Sequence, residues 1–532
     1  MSQQNDWQKF TTNLLRYSEP DLWLDLSLMD LPNDLIETKE KCINKSLDEI
    51  RKIEEGAKVN TDEDKDSGGR RVGHYWLRNP DLAPDELGIS IQRKIAEVKA
   101  FSSGIHKGEI LNPSGEKFTN LLLIGIGGSA LGPQLAVDAL TDHTAPMKIH
   151  YFDNTDPDGM DRILNGIGEK IGETLTLVIS KSGGTKETRN GMLEAKAAYE
   201  NNGLEFGKHA IAVTGENSQL DQYATQEDWI GIFPMEDWVG GRTSITSVVG
   251  LLPMALMGIN INEFLEGASA IDRKTRPPEI KLNAALLMAL SWHHIGEGKG
   301  SKAMVILPYK DRLNLLSKYL QQLVMESLGK EFDRDDNQVH QGITVYGNKG
   351  STDQHAYVQQ LRDGINNFFV TFIEVRESRT GNCIEVDPGF KTGDYLQGFL
   401  RGTRSALAEA SRKSMTISIP ILDAFHLGSL IALYERAVSY YASLININAY
   451  HQPGVEAGIK AATDFLEILS KTESYLSDRT GEKFTAGDVA NNIQENEENT
   501  FHALNHLSSN RDDISVEIGE SPEADRFVRG KS

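Results

Sequence analysis

The sequence predicts an α/β protein with two doubly wound parallel sheets and helical extensions at both ends. Short apolar runs that end in glycine or polar residues recur along the chain, helix-like stretches separate them, and this alternation occurs twice. Short apolar strands that alternate with helices are typical of parallel sheets covered by helices on both faces, as in α-β-α sandwiches. The length of 532 residues suits two or three domains.

The first cycle of strands begins near residue 119. Its predicted strands are TNLLLIGIGG (119–128), KIHYFDNTD (148–156), TLTLVIS (174–180) and KHAIAVTG (208–215). A helix-like stretch between the last two stops at Gly203, which is a typical helix end.

The second cycle begins near residue 302. We predict strands at 302–309, 343–350 and 368–375, and helices at 312–330 and 418–445. The resulting division has four parts, which are a helical N-terminal extension, two α/β domains, and a helical, partly mobile C-terminal segment. Their predicted bounds are 1–110, 111–295, 296–465 and 466–532.

Composition and charge restrict the function classes. The formal net charge is −22, from 77 acidic and 55 basic side chains, and this charge repels polyphosphate backbones, so we expect no nucleic-acid partner. No apolar run approaches the roughly 18–20 residues that span a bilayer, and the polar N-terminus does not resemble a signal peptide. Cys42 and Cys383 show no metal-ligand spacing and are expected to be reduced thiols. We therefore expect a cytoplasmic protein that binds neither membrane nor metal.

A glycine loop follows the first predicted strand. Gly125, Gly127 and Ala130 have the spacing G-x-G-x-x-G/A, and Asp153 closes the next strand, where a ribose-binding acid would lie. This pattern is typical of nicotinamide-dinucleotide sites, and it defines one alternative function. The same loop is also explained as an ordinary strand-to-helix turn.

A second loop, SKSGGTKET (180–188), favours a different ligand. Ser180, Ser182 and Thr185 lie in this loop, and Ser129 lies in the first. Both loops end parallel strands and begin helices, where backbone N–H groups and the positive end of the helix dipole favour a dianion. A dinucleotide fold does not use a second hydroxyl-rich loop. The pair of loops therefore predicts a phosphate monoester, carried by a sugar.

The segment QQLVMESLGK (321–330) contains a candidate base. Apolar residues recur at helical spacing before it, and Glu326 lies in the last turn, three residues before Gly329. A carboxylate at the end of a helix, among apolar neighbours, is a candidate proton acceptor. Such a group suits proton abstraction next to a carbonyl. The alternative is a surface glutamate paired with Lys330.

Six segments in chain order resemble the glucose-6-phosphate isomerase family, whose members contain sugar isomerase domains. The resemblance extends from about residue 119 to residue 460. The matching segments are GIGGSALGP (125–133), SKSGGTKET (180–188), EDWVGGRTSITSVVGLLP (236–253), QQLVMESLGK (321–330), STDQHAYVQQLRDG (351–364) and NAYHQPGVEAGIK (448–460).

The resemblance implies two sugar isomerase domains and a reversible isomerisation of glucose 6-phosphate to fructose 6-phosphate, through ring opening and an enediolate. No metal or organic cofactor is implied. Glu326 would transfer the proton, Arg242 would stabilise the enediolate, and His355 would open the ring. In related enzymes this histidine comes from the neighbouring subunit, which implies a homodimer.

The resemblance also implies a set of substrate-binding residues and one orienting residue, Glu187. The implied binding residues are Gly128, Ser129, Ser180, Lys181, Ser182, Thr185, Gln322 and Gln452.

Two positions depart from the family pattern. Thr243 stands where an aromatic residue is usual, and Ile459 stands where the catalytic lysine is expected, with Lys460 one position later. A shift of one residue on a helix turns a side chain by about 100°. Either the backbone adjusts so that Lys460 reaches the ring oxygen, or His355 acts without it.

Three other functions are alternatives to this one. A nicotinamide-dependent oxidoreductase fits the first loop but not the second. A sugar-phosphate-sensing regulator would use both loops without turnover, but it would usually carry a basic DNA-reading segment. An isomerase acting on another sugar phosphate, such as a mannose derivative, differs only in its preference at C2.

Overall fold

The computed structural model describes residues 3–61 and 69–530 of the chain. The chain forms two compact units, Met1–His451 and Gln452–Ser532. The larger unit contains a five-stranded sheet and a six-stranded sheet, here called the first and the second sheet. The α/β class with parallel sheets is therefore confirmed, whereas the four-part domain division stays a prediction.

Helices surround both sheets of the larger unit. The α-helices of this unit are Gln3–Thr12, Leu35–Glu54, Leu87–Lys107, Leu131–Leu140, Pro157–Ile167, Lys186–Asn201, Gln219–Gln226, Val248–Leu256, Ile261–Thr275, Ala284–Ile295, Leu316–Leu320, Val358–Asp363, Thr392–Glu409 and Ala424–Leu444. Three antiparallel pairs of short strands lie outside these sheets, and they are Lys58–Asn60 with Arg70–Arg71, Lys330–Phe332 with Gln338–Gln341, and Glu385–Asp387 with Phe390–Lys391.

The first sheet is entirely parallel. Its strands, in order across the sheet, are Lys148–Phe152, Asn120–Ile124, Thr174–Ile179, Ala210–Gly215 and Gly231–Met235. Leu121 and Leu123 enter one hydrophobic core while Leu122 and Ile124 enter another, so both faces of the sheet are buried. Asn120–Ile124 is the first of these strands along the chain, and the next two strands, Lys148–Phe152 and Thr174–Ile179, lie on opposite sides of it. This reversal creates a crevice at the carboxyl ends of the strands, where such sheets bind ligands.

The fifth strand of the first sheet was not predicted. Gly231–Met235 lies at the edge of the sheet and contains Pro234. Proline cannot donate a ladder hydrogen bond and is tolerated mainly at such edges, so the local sequence does not read as a strand.

The second sheet combines parallel and antiparallel strands. Its strands, in order, are Leu14–Arg16, Trp23–Leu28, Ser414–Ile419, Phe368–Val375, Ala303–Pro308 and Val345–Tyr346. The last four are mutually parallel, and the two N-terminal strands are antiparallel additions. The N-terminal extension is predicted as helical, and these two strands correct that prediction. WLDLSL in Trp23–Leu28 alternates leucine with polar residues as a half-buried strand does.

The helix predicted at 418–445 begins later than expected. Ser418 and Ile419 complete a strand of the second sheet, and the helix spans Ala424–Leu444. The Asp423 side chain accepts a hydrogen bond from the His426 backbone N–H at 2.8 Å and so caps the first turn. Pro420, which lies between strand and helix, does not favour continuous helix.

The helix Ala424–Leu444 is buried almost all round and packs against Ile261–Thr275. Its residue Glu435 belongs to a group of charged side chains in the core. Arg78 donates from Nε to Asp272 Oδ2 at 2.6 Å and also pairs with Glu435. Burial outweighs the attraction of Arg78 and raises the pKa of Glu435 to about 7.

The smaller unit has its own hydrophobic core. Its helices Pro453–Ser477, Ala486–Ile493 and Glu497–Asn510 accompany a small antiparallel sheet of Lys483–Phe484, Arg526–Arg529 and Ile514–Glu517. Leu476, Val489, Leu504 and Phe527 are central to this core. Across residues 3–61 and 69–530, no helix has both the length and the apolar composition that spanning a membrane requires.

Candidate active site

The first glycine loop lies at the carboxyl end of Asn120–Ile124 and packs against a second glycine pair. Gly127 has a positive φ of 56°, which favours glycine. A Cβ at Gly128 would lie 2.2 Å from the carbonyl oxygen of Gly241. Ser244 Oγ lies 2.7 Å from Gly241 O and 3.3 Å from Gly128 O, and it joins the two segments. Only glycine at position 128 permits this approach.

The hydroxyls of the second loop shape its own turn. Ser180 Oγ accepts a hydrogen bond from Gly183 N at 3.1 Å, and it donates to Thr185 Oγ1 at 3.4 Å. Ser182 Oγ accepts from Gly184 N at 3.1 Å. Thr185 then directly precedes the helix Lys186–Asn201. The loop thus presents hydroxyls around a helix N-terminus, an arrangement that suits a phosphate.

Two charged residues of the second loop have distinct environments. Lys181 Nζ donates to Asp237 O at 2.8 Å and to Val239 O at 3.1 Å, so it contacts the segment that leads to Arg242. Glu187 lies in the first turn of the following helix, where the helix dipole stabilises a negative charge.

The predicted base lies in a π-helix, Gln321–Glu326, directly after the helix Leu316–Leu320. Such wide turns are rare and occur frequently at functional sites. The Gln322 side chain extends over the first glycine loop, because a Cβ on Gly127 would lie 3.1 Å from Gln322 Nε2. The Glu326 side chain keeps 20% exposure and is accessible to a small ligand.

Arg242 forms an ion pair with Glu326. Its side chain is 6% exposed, and Nε donates to Glu326 Oε2 at 3.0 Å. The remaining nitrogens donate to main-chain oxygens of Ala449 at 2.6 Å, and of Glu326 and His451 at 3.3 Å each. The guanidinium is therefore fixed beside the carboxylate, where it can stabilise a negative charge on a neighbouring oxygen.

The alternative interpretation paired Glu326 with Lys330, whereas the structure pairs the Glu326 carboxylate with Arg242, and Lys330 contacts the main chain. Its Nζ donates to the main-chain oxygens of Glu326 at 2.7 Å and of Ser327 at 2.9 Å. A cation at this position satisfies carbonyl groups at the end of the helix.

The residue that would bind a ribose in a dinucleotide site is engaged elsewhere. Asp153 Oδ2 accepts a hydrogen bond from Gln134 Nε2 at 2.8 Å, and Lys318 Nζ lies 3.8 Å from it. Gln134 belongs to the helix that follows the first glycine loop. This contact does not favour the oxidoreductase alternative.

The structure brings several of the predicted site residues together at the first loop and places others elsewhere. Gly128, Arg242, Gln322 and Glu326 lie together with the first loop, and Lys181 joins the second loop to the Arg242 segment. His355 is exposed at the end of a 3₁₀ turn, Thr352–His355. Ser129 is half-buried in the first loop.

Gln452 and Lys460 belong to the smaller unit. Gln452 directly precedes the helix Pro453–Ser477 and is exposed, and Lys460 and Ile459 are exposed on that helix. Their roles stay predictions.

Sequence reasoning did not identify Ser244 or the carbonyl groups that hold Arg242. Ser244 stands two residues after Arg242 in GGRTS, which is the only local signal. The partners Ala449 and His451 are more than 200 positions away in the chain, so they become visible only in the fold.

Comparisons with known proteins identify the family of the chain. The phosphoglucose isomerase family matches residues 31–389 and 404–481. A glucose-6-phosphate isomerase from Geotalea daltonii is 54% identical over 528 residues, which cover 98% of this chain and 99% of the relative. That of Geobacter sulfurreducens is 53% identical over 520 residues, 97% of each chain.

A solved structure has the same fold. The crystal structure of a glucose-6-phosphate isomerase from Chlamydia trachomatis has a TM-score of 0.77 and 26% identity, covering 87% of this chain and 91% of that one. The family match and the identity to these relatives show that the chain is a member of the phosphoglucose isomerase family.

Proposed function

We propose that this chain interconverts D-glucose 6-phosphate and D-fructose 6-phosphate, as an isomerase of glycolysis and gluconeogenesis. The observation that carries this proposal is the Arg242–Glu326 pair beside two glycine- and hydroxyl-rich loops. The loops suit a phosphate, the carboxylate suits a mobile proton, and the guanidinium suits a developing oxyanion. No hydride leaves the substrate, so the reaction requires no nicotinamide.

The proposed mechanism divides the work between these groups. Ser129, Ser180, Ser182, Thr185 and Gln322 hold the phosphate, so that C1 and C2 of the open-chain sugar lie at the carboxylate. Glu326 takes the proton from C2 of the aldose, the C–H electrons form the C1–C2 double bond, and the carbonyl electrons move to O1. A proton passes from O2 to O1, the electrons left on O2 form the C2 carbonyl, and the Glu326 carboxyl returns its proton to C1. Arg242 stabilises the enediolate oxygen while the charge exists.

Ring opening requires a further acid–base group, and we assign it to His355 of a neighbouring subunit. Its exposure in a single protomer supports delivery to a second copy. This assignment makes the working enzyme a homodimer, with Gln452 and Lys460 as further substrate contacts. We infer a cytoplasmic location from the expected free thiols.

A coupled assay tests the activity. Purified, chelator-treated protein is supplied with fructose 6-phosphate, glucose-6-phosphate dehydrogenase and NADP⁺, and NADPH formation is expected. Mannose 6-phosphate tests the alternative sugar when a known glucose-6-phosphate isomerase is added to the coupling mixture, because its isomerisation product is fructose 6-phosphate. Absence of turnover with every hexose phosphate would contradict the proposal.

The variant Glu326→Gln tests the base. Glutamine keeps an oxygen for Arg242 Nε but does not accept a proton, so kcat should fall by about 10²–10⁴-fold. Solvent deuterium should enter C2 of glucose 6-phosphate with the native protein and not with the variant. Unchanged deuterium incorporation would refute the role of Glu326.

Mixing two inactive variants tests the shared site. In a dimer of one His355→Ala and one Glu326→Gln subunit, one of the two sites is intact. Random reassembly should therefore restore about a quarter of native activity. No recovery after mixing and reassembly would place His355 outside the neighbouring site.

A further inference from the structure

We propose that Lys181, in the second loop, is a positioning residue whose side-chain hydrogen bonds hold the segment that leads to Arg242 in place. This inference rests on the proposed function and refines the role of Lys181 within it. Lys181 would act through Arg242, and its charge would not be the main attraction for the substrate phosphate.

The contacts of the Lys181 ammonium carry this inference. Nζ donates to the carbonyl oxygens of Asp237 and Val239 at 2.8 and 3.1 Å. Val239 is 1% exposed and lies three residues before Arg242. A buried carbonyl requires a donor, and Lys181 Nζ supplies one to Val239.

Other parts of the fold hold the same segment at further points. Lys94 pairs with Glu236 at 2.8 Å, and both side chains are nearly buried. The Trp238 carbonyl accepts from Gly73 N at 3.0 Å. The segment before Arg242 is thus held by donors from elsewhere in the chain, and Lys181 is the donor that comes from the phosphate loop.

The Lys181 backbone is itself anchored to the first sheet. Its carbonyl accepts from Gly215 N at 3.0 Å, at the end of the neighbouring strand. Ser180, directly before it, accepts the turn-forming bond from Gly183 N. One residue therefore joins the strand end, the hydroxyl loop and the carbonyls that precede Arg242. Loss of its side chain should move Arg242 relative to Glu326 more than it weakens phosphate binding.

Lys181→Met tests this assignment, with Lys186→Met as its matched control. Both variants remove one positive charge from the same loop, but Lys186 is exposed at the start of the helix. We expect kcat of Lys181→Met to fall about 10–100-fold, because small displacements in an active site cost this much. The Ki of inorganic phosphate as a competitive inhibitor should change less than about threefold.

The control and a rescue variant separate the possible outcomes. Lys186→Met should keep native kcat, and Lys181→Arg should recover part of the lost kcat because guanidinium also donates to carbonyls. A large rise in the Ki of phosphate with unchanged kcat would show that Lys181 mainly attracts the phosphate, and it would overturn the proposal. Absence of turnover in the native protein would instead refute the proposed function.

Discussion

Arg242→Lys is the sharpest test of the catalytic pair, because it keeps the charge and removes the geometry. Arg242 donates from three nitrogens to Glu326 Oε2 and to three main-chain oxygens. Lysine has one nitrogen with three hydrogens, so at least one acceptor loses its donor. An unpaired buried acceptor costs about 1–3 kcal/mol of unfolding free energy.

The expected loss of activity is larger than the loss of stability. Removing one donor that stabilises an oxyanion lowers kcat about 10²–10³-fold, so Arg242→Lys should lose at least that factor while it still folds. Urea denaturation followed by tryptophan fluorescence measures stability, and the coupled assay measures kcat and KM. A variant with kcat within about threefold of native would show that charge alone suffices, and it would refute the geometric argument.

Three further predictions concern other parts of the chain. Gly128→Ala should lower kcat more than about tenfold, because its Cβ would lie 2.2 Å from a main-chain oxygen, whereas Gly398→Ala, in a helix with open space around it, should stabilise the fold by about 0.5–1 kcal/mol; equal effects on kcat would contradict this. The folded pKa of Glu435 is about 7, above the ordinary 4.5, so its stabilising contribution is complete below pH 4.5 and is lost as the pH rises to about 7. In the native chain the unfolding free energy should therefore fall by up to about 1.4 kcal/mol per pH unit between pH 5 and 8. Glu435→Gln should abolish this fall, which urea denaturation measures, and an unchanged pH dependence in the variant would oppose this. If Lys460 takes part in ring opening, Lys460→Ala should lower kcat and Ile459→Lys in that background should restore it; a native kcat for Lys460→Ala would exclude the residue.

Much of the fold could be predicted because the central strands are locally unambiguous. The run at 121–124 is fully buried on both faces, so it reads as one continuous apolar strand. The strand Gly231–Met235 could not be recognised, since its glycine and proline are acceptable only at a sheet edge. The strand Trp23–Leu28 had a visible alternation, but the partner that joins it to the second sheet, Ser414–Ile419, lies far along the chain.

The candidate site was predictable where function imposes a local pattern. The glycine loops and the segment around Glu326 are contiguous motifs, so their residue types could be assigned to phosphate binding and to proton transfer. The hydrogen bond from Lys181 to the main-chain oxygen of Val239 joins segments 58 positions apart, and a main-chain acceptor leaves no pattern in the sequence. The π-helix at Glu326 was likewise predicted as ordinary helix, because its wider turn depends on tertiary packing.

The N-terminal strand of the second sheet affects how the chain can be made. Trp23–Leu28 pairs with Ser414–Ile419, and Arg404 forms an ion pair with Asp25 across 379 positions of sequence. A ribosome that adds roughly 5–20 residues per second therefore delivers this strand tens of seconds before its partner. During that interval only the short strand Leu14–Arg16 can pair with it, so its other edge stays open to chaperones. The first residues to leave the ribosome are thus among the last to be built into the sheet.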